Sequence, residues 1–279
     1  MALVPSTDGV KVAVADLGGD GPPLLLVHAT GFCAGVLRPM AAHLTGSFHC
    51  FTLDLRGHGA TITPPEVDYA WRGFADDVLA VIDHLGLEEV FGFGHSSGGA
   101  ALLDAEARRP GTFTALYCYE PILWPETPPP DSRRALVEGA LRRRETFPSA
   151  GEAYVHFAAK PLFAGVPHEA LRAYIKCGFA PVSDGNGDDG SIRLRCRREA
   201  EAAIYRQGLV HDGFSRLGEV VCPVMIASGD KSEALEPGTF ERQAAAIPKA
   251  WTEVFDGLGH LGPLEDPAGV AGAVLEALT

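Results

Sequence analysis

No stretch of this 279-residue sequence approaches the roughly 18 consecutive apolar residues that a membrane-crossing helix needs, so a membrane-spanning protein is not expected. The first residues, Met-Ala-Leu-Val-Pro-Ser, lack the basic start and long apolar segment of a secretory signal, and a cytoplasmic location follows as the expectation. Positive charge is scarce: 23 Lys and Arg stand against 36 Asp and Glu, a net charge of −13. Nucleic acid and anionic membrane surfaces both require a basic footprint, so neither is expected as a partner. The six cysteines, Cys33, Cys50, Cys118, Cys177, Cys196 and Cys222, form no C-x-x-C pair and sit in apolar segments. They read as buried free thiols in a reducing compartment. There is no G-x-G-x-x-G and no phosphate loop, so no nucleotide cofactor is expected, and no bound metal either.

What is present fits one large soluble domain. The apolar fraction is 46% and the charged fraction 21%, and the chain is long enough to bury a sizeable core. The 33 glycines and 21 prolines are spread along the chain, marking turns and not disorder. The continuous apolar run Leu24–His28 reads as a strand buried on both faces. Val10–Ala15, Cys50–Leu55, Val90–Phe93 and Ala115–Tyr119 read as further strands, with helices over Val36–Leu44, Trp71–Leu85 and Ala100–Arg109 between them. Strand and helix in alternation imply a doubly wound, mostly parallel α/β sheet. The pattern breaks over 121–215, which opens proline-rich and continues as Arg-rich helical segments with no convincing strand. That stretch carries 13 Lys and Arg against 12 Asp and Glu, leaving the rest of the chain at −14. From about 220 the alternation resumes, with strands Val224–Ala227 and Trp251–Phe255 and helices over 237–247 and 267–278. Residues 1–120 and 216–279 therefore read as one core, and 121–215 as a mostly helical lid inserted into it.

The strongest local signal is Gly94-His95-Ser96-Ser97-Gly98-Gly99. It matches G-x-S-x-G in the context that gives the motif meaning, an apolar strand before and a helix after. A sharp turn there lifts the Ser96 oxygen above the sheet edge, and bulk at Gly94 or Gly98 would collide with the neighbouring strand and helix. A base for that serine must come from a loop at the same edge. Of ten histidines, His260 lies just after the strand ending at Phe255 and late in the chain.

These segments together resemble the α/β-hydrolase superfamily. Val27-His28-Ala29-Thr30-Gly31 is similar to the family's loop after the third strand, Asp54-Leu55-Arg56-Gly57-His58-Gly59 to its D-x-R-G-x-G loop, and Leu258-Gly259-His260 to its histidine-bearing loop. The resemblance implies Ser96 as nucleophile and His260 as general base, in the chain order Ser, acid, His. It implies structural or pocket-lining roles for His28, His58 and His95. The family's usual aspartate would fall on Ser232, so the acid is missing from its common place. A second family arrangement sets it just after the preceding strand, where Glu120 stands; Asp230 is the alternative, with Glu233 behind it. Some carboxylate is needed to orient the imidazole and stabilise its charged form. Backbone N–H groups of Ser97 and Thr30, with Phe32 behind Thr30, are the expected oxyanion donors.

Two other signals point elsewhere. Asp184–Gly190 looks like the start of a calcium loop, but Asp189 stands where glycine is needed and Arg195 where the closing glutamate belongs, so a solvated loop is expected. The arginines at 142–144 and 193–198 read as a solvated helix face paired with acids, with an anionic substrate as the alternative. The aromatics Trp124, Phe147, Phe157, Phe163 and Phe179 are expected to wall a pocket or to pack the inserted helices. The implied activity is hydrolysis of an ester or lactone in a small hydrophobic molecule. Carbon–carbon bond hydrolysis, perhydrolysis and a non-catalytic binding module are the alternatives. The expected partner is a small-molecule substrate, and a homodimer is compatible with the sequence.

Overall fold

A computed structural model describes residues 1–126, 130–182 and 190–279. Eight strands form one sheet: β1 (Ala2–Pro5), β2 (Lys11–Gly18), β3 (Pro23–Val27), β4 (His49–Asp54), β5 (Val90–His95), β6 (Phe113–Tyr119), β10 (Val224–Gly229) and β11 (Ala250–Phe255). Their order is β1-β2-β4-β3-β5-β6-β10-β11, with every neighbouring pair from β4 to β11 parallel. The hairpin β1–β2 adds an antiparallel edge. Because side chains alternate across a strand, Leu25 and Val27 of β3 enter one core layer and Leu24 and Leu26 the other. That explains the unbroken apolar run. Helices α1 (Arg38–Leu44) and α10 (Pro267–Leu278) cover the second layer, and α2 (Arg72–Leu85) and α3 (Ser97–Arg108) the first. Helix α2 buries Phe74, Val78, Val81 and Ile82 and ends at Gly86, whose φ of 61° closes the cap without a Cβ penalty.

Between β6 and β10 the chain forms α4 (Pro130–Leu141), α5 (Ala150–Ala158), α6 (His168–Gly178) and α7 (Arg198–Gly208). It also forms a three-stranded antiparallel sheet of β7 (Thr146–Phe147), β9 (Ile192–Leu194) and β8 (Phe179–Pro181), which corrects the expectation of no strand there. Strands of two or three residues are too short to show a period of two. The expected boundary at 215 falls within a 3-10 segment, Gly213–Glu219. Helix α8 (Thr239–Ala246) and the single turn α9 (Gly262–Glu265) complete the fold. All six cysteines are free, with Cys177 only half-buried, unlike the other five. Most of the calcium-like segment, 184–189, lies outside the described residues. Among the described residues no helix is long and apolar enough to cross a membrane.

Candidate active site

Strand β5 passes through Gly94 and His95 and turns at once into α3. At the turn Ser96 has φ 57° and ψ −117°, a backbone state that costs a non-glycine residue on the order of 1–3 kcal/mol. Its N–H donates to the Tyr119 carbonyl at 2.9 Å and its carbonyl accepts the Ala100 N–H at 3.1 Å, so strand and helix both hold it there. A Cβ on Gly98 would overlap the Val27 carbonyl oxygen, and one on Gly94 would meet the Gly99 backbone.

The Ser96 Oγ lies 3.1 Å from His260 Nε2, and Glu120 Oε2 lies 2.6 Å from His260 Nδ1. A carboxylate oxygen facing Nδ1 places the imidazole hydrogen on that nitrogen, which leaves Nε2 free to accept the Ser96 hydroxyl. Glu120 is fully buried just past β6, at φ 48°. Its Oε1 accepts the Gly229 N–H at 2.9 Å, and its Oε2 accepts the Ser232 hydroxyl at 2.6 Å. Asp230, the alternative acid, is exposed and turned away: its Oδ1 accepts the Gly257 N–H at 2.7 Å. Glu233 lines the cavity above Ser96 and is not on the imidazole. Ser232 was legible only as the place where aspartate was missing. Its bond to Glu120 depends on β6 and β10 being neighbours.

The backbone around His260 is held from three sides. The Tyr119 hydroxyl donates to the Gly259 carbonyl at 2.9 Å, the His95 Nε2–H to the His260 carbonyl at 2.7 Å, and the Gly259 N–H to Glu265 Oε2 at 2.8 Å. His95 thus bears on the site through backbone, and so do His28 and His58. His28 Nε2 accepts the Leu55 N–H at 3.1 Å, and His58 Nε2 accepts the Gly31 N–H at 2.9 Å. Each ring gives its Nδ1–H to a carbonyl, that of Ala29 at 2.8 Å and that of Arg56 at 3.0 Å. The loops after β3 and β4 are therefore cross-braced by two imidazoles that must stay neutral to accept.

Burial pushes His58 down to about 3 and lowers His28 as well. The unfolded chain, with histidine near about 6.5, binds more protons below that pH than the folded chain does. The stability His58 contributes is complete above about 6.5 and is lost as pH falls towards about 3, and that of His28 is lost in the same direction. His58 alone is expected to account for about 2 kcal/mol of lost stability at pH 5. Urea unfolding of the wild type and of His58→Gln, which keeps an acceptor without titrating, measures it: the variant's stability should fall less between pH 7 and pH 5.

A cavity of about 560 Å³ opens over Ser96 and His260, lined also by Thr30, Ser97, Ile122 and Leu209. Ser97 opens α3, so its N–H is one of the first-turn donors with no acceptor inside the helix. The Gly31 N–H is taken by His58 and the Phe32 N–H by the Ala29 carbonyl at 3.2 Å. Among the described residues the Thr30 N–H has no protein acceptor, so of Thr30 and Phe32 it is Thr30 whose N–H is free to donate. Of the five aromatics expected to wall the pocket, Trp124 lines this cavity. Phe147, Phe157, Phe163 and Phe179 are buried and pack around Tyr174 in the inserted segment, with neighbouring ring centroids 5.3–6.0 Å apart.

This fold and this edge-of-sheet arrangement place the chain in a known class. It belongs to the alpha/beta hydrolase family, whose model matches residues 24–273. It is similar to the 2-(acetamidomethylene)succinate hydrolase of Mesorhizobium japonicum, 27% identical over 242 residues that cover 87% of this chain and 82% of the relative. It is also similar to the N-formylmaleamate deformylase of Pseudomonas putida, 25% identical over 269 residues, 94% of this chain and 90% of the relative. The crystal structure of E-2-(acetamidomethylene)succinate hydrolase superposes with a TM-score of 0.86 at 22% identity, covering 100% of this chain and 98% of that one.

Proposed function

We propose that this chain is a serine hydrolase that cleaves an ester or lactone of a small substrate through an acyl-enzyme. The observation that carries the reading is the unbroken series Ser96 Oγ, His260 imidazole, Glu120 carboxyl, at 3.1 Å and 2.6 Å, opening into a cavity beside unpaired N–H donors. His260 Nε2 takes the Ser96 proton as Oγ attacks the carbonyl carbon, and Glu120 stabilises the imidazolium that forms. The N–H groups of Ser97 and Thr30 receive the oxyanion. Collapse expels the leaving group, which takes the proton from His260, and His260 then activates the water that releases the acid. Ile122, Leu209, Leu261 and Trp124 make the cavity wall mostly apolar, which suits a hydrophobic portion of the substrate.

A second reading extends the same chemistry to an N-acyl bond, because the names of two curated relatives carry an acetamido and an N-formyl group. A fluorophosphonate probe tests the common core of both. The wild type is expected to be labelled stoichiometrically and Ser96→Ala not at all, with the label on Ser96 by peptide mass. A folded wild type that resists the probe would favour a non-catalytic binding module instead. Comparing 4-nitrophenyl butyrate with its anilide separates the ester reading from the N-acyl one.

A further inference from the structure

Past Thr30 and Phe32 the cavity over Ser96 adjoins a second one of about 400 Å³; Thr30, Phe32, Leu162 and Tyr205 line both. The far wall of the second cavity is cationic, formed by Arg142, Arg143 and Arg144 from the end of α4 and by Lys160 after α5. Among the described residues lining it, Glu201 is the one carboxylate. So dense a positive wall is out of keeping with a chain of net charge −13. The reading of these arginines as a merely solvated face accounts for part of it. Arg142 reaches Glu138 at 3.3 Å on the surface, and Arg143 is consumed by Glu201 and by the Tyr174 hydroxyl at 2.7 Å. Lys160 has no ion-pair partner among the described residues; Arg144 lies over the Phe147 ring, gives its Nε–H to the Thr146 carbonyl at 3.0 Å and pairs loosely with Glu152 through Nη2 at 3.9 Å, which leaves Nη1 without a protein partner among the described residues. His156, in the same wall, has its pKa lowered by burial and then by Lys160, Arg144 and Arg143, so these cations act on one space.

Two cations with donors to spare on the solvent-facing wall of this cavity, next to the loop that carries Thr30, make a seat for an anion attached to the reacting molecule. We propose that Lys160 and Arg144 bind a carboxylate of the substrate, placed beyond the carbonyl that Ser96 attacks, and so select acyl compounds with a second, anionic end. The apolar cavity then holds the region of the scissile bond and the cationic annex holds the charged tail. This deepens the serine-hydrolase reading and rests on it.

The test uses two esters that differ by one carboxylate, 4-nitrophenyl butyrate and mono-4-nitrophenyl glutarate, with wild type and the double variant Lys160→Gln/Arg144→Gln. A charge-assisted contact should make kcat/KM for the glutarate ester about tenfold or more higher in the wild type, at low salt. The double variant should lose that advantage, mainly through KM, while its rate on the butyrate stays within about twofold, which also shows that it is folded. Equal effects of the double substitution on both esters, or no preference to begin with, would overturn the annex. Calorimetric titration of Ser96→Ala with glutarate keeps the two readings apart. Glutarate bound by Ser96→Ala and lost in the triple variant, with neither ester hydrolysed by wild type, leaves the annex standing and overturns the hydrolase. Hydrolysis of the butyrate with no glutarate binding does the reverse.

Discussion

Ser96→Ala and His260→Ala are each expected to lower kcat on an acyl substrate by about 10⁶-fold, and the double variant to be no slower than either. The reason is that neither group acts alone. The hydroxyl 3.1 Å from Nε2 is a poor nucleophile unless the ring removes its proton, and the ring has nothing to activate once the hydroxyl is gone. What survives is the oxyanion donation by backbone, which side-chain changes do not remove. Glu120→Gln is expected to cost less, about 10⁴-fold, because the amide can present an N–H to Nδ1 and trap the wrong tautomer without moving the ring. Asp230→Asn should leave turnover within about twofold, since its carboxyl braces the Gly257 turn and not the imidazole. Steady-state kinetics on an aryl ester measure all four. Additive losses in the double variant, or a damaged Asp230→Asn beside a healthy Glu120→Gln, would contradict the assignment.

The largest stability effect should come from a residue outside the chemistry. Arg56, the arginine of the D-x-R-G-x-G loop, is fully buried and donates two bonds to the fully buried Asp77, at 2.9 and 2.8 Å. It also reaches Asp8 at 2.8 Å and Thr7 Oγ1 at 2.9 Å, and Ser6 donates to the same Asp77 at 2.6 Å. One guanidinium thereby ties the loop after β4 to α2 and to the turn between β1 and β2. Arg56→Met leaves the Asp77 carboxylate buried without its counter-charge, and a loss of about 3–5 kcal/mol is expected, a large share of a domain's usual total. The pair itself is not worth that much, because both charges gave up their hydration to form it. Arg56→Met/Asp77→Leu should therefore recover part of the loss in urea unfolding, and a double variant as unstable as the sum of the singles would show that the two sites are not coupled.

Local signals carried most of the framework. The elbow at Ser96 and the strands that flank it were legible because turn, strand and helix each leave a mark within a few residues. The unbroken run at Leu24–His28 announced a strand covered on both faces, and the core layers on its two sides are what required it. Short pieces escaped for the same reason in reverse: β1 and the three strands of the inserted segment are too brief to show any period. The inserted aromatics were ambiguous because packing and pocket lining demand the same residue types. Only their neighbours tell Trp124, which faces the cavity, from Phe147 and Phe179, which face one another.

Composition, order of elements, the turn at Ser96 and the late histidine are properties of the chain read in one dimension, since each depends on residues close in sequence. The choice of Glu120 over Asp230 is not, although the two stand beside neighbouring strands. It turns on which carboxyl β6 and β10 deliver under His260 Nδ1, and a contact 140 residues apart along the chain is set by sheet order and by the left-handed backbone at Glu120. The same holds for the bracing of the loops by His28 and His58 and for the cationic annex beside Thr30. Each brings together side chains that the sequence keeps far apart, and only the packed sheet gives them a common space.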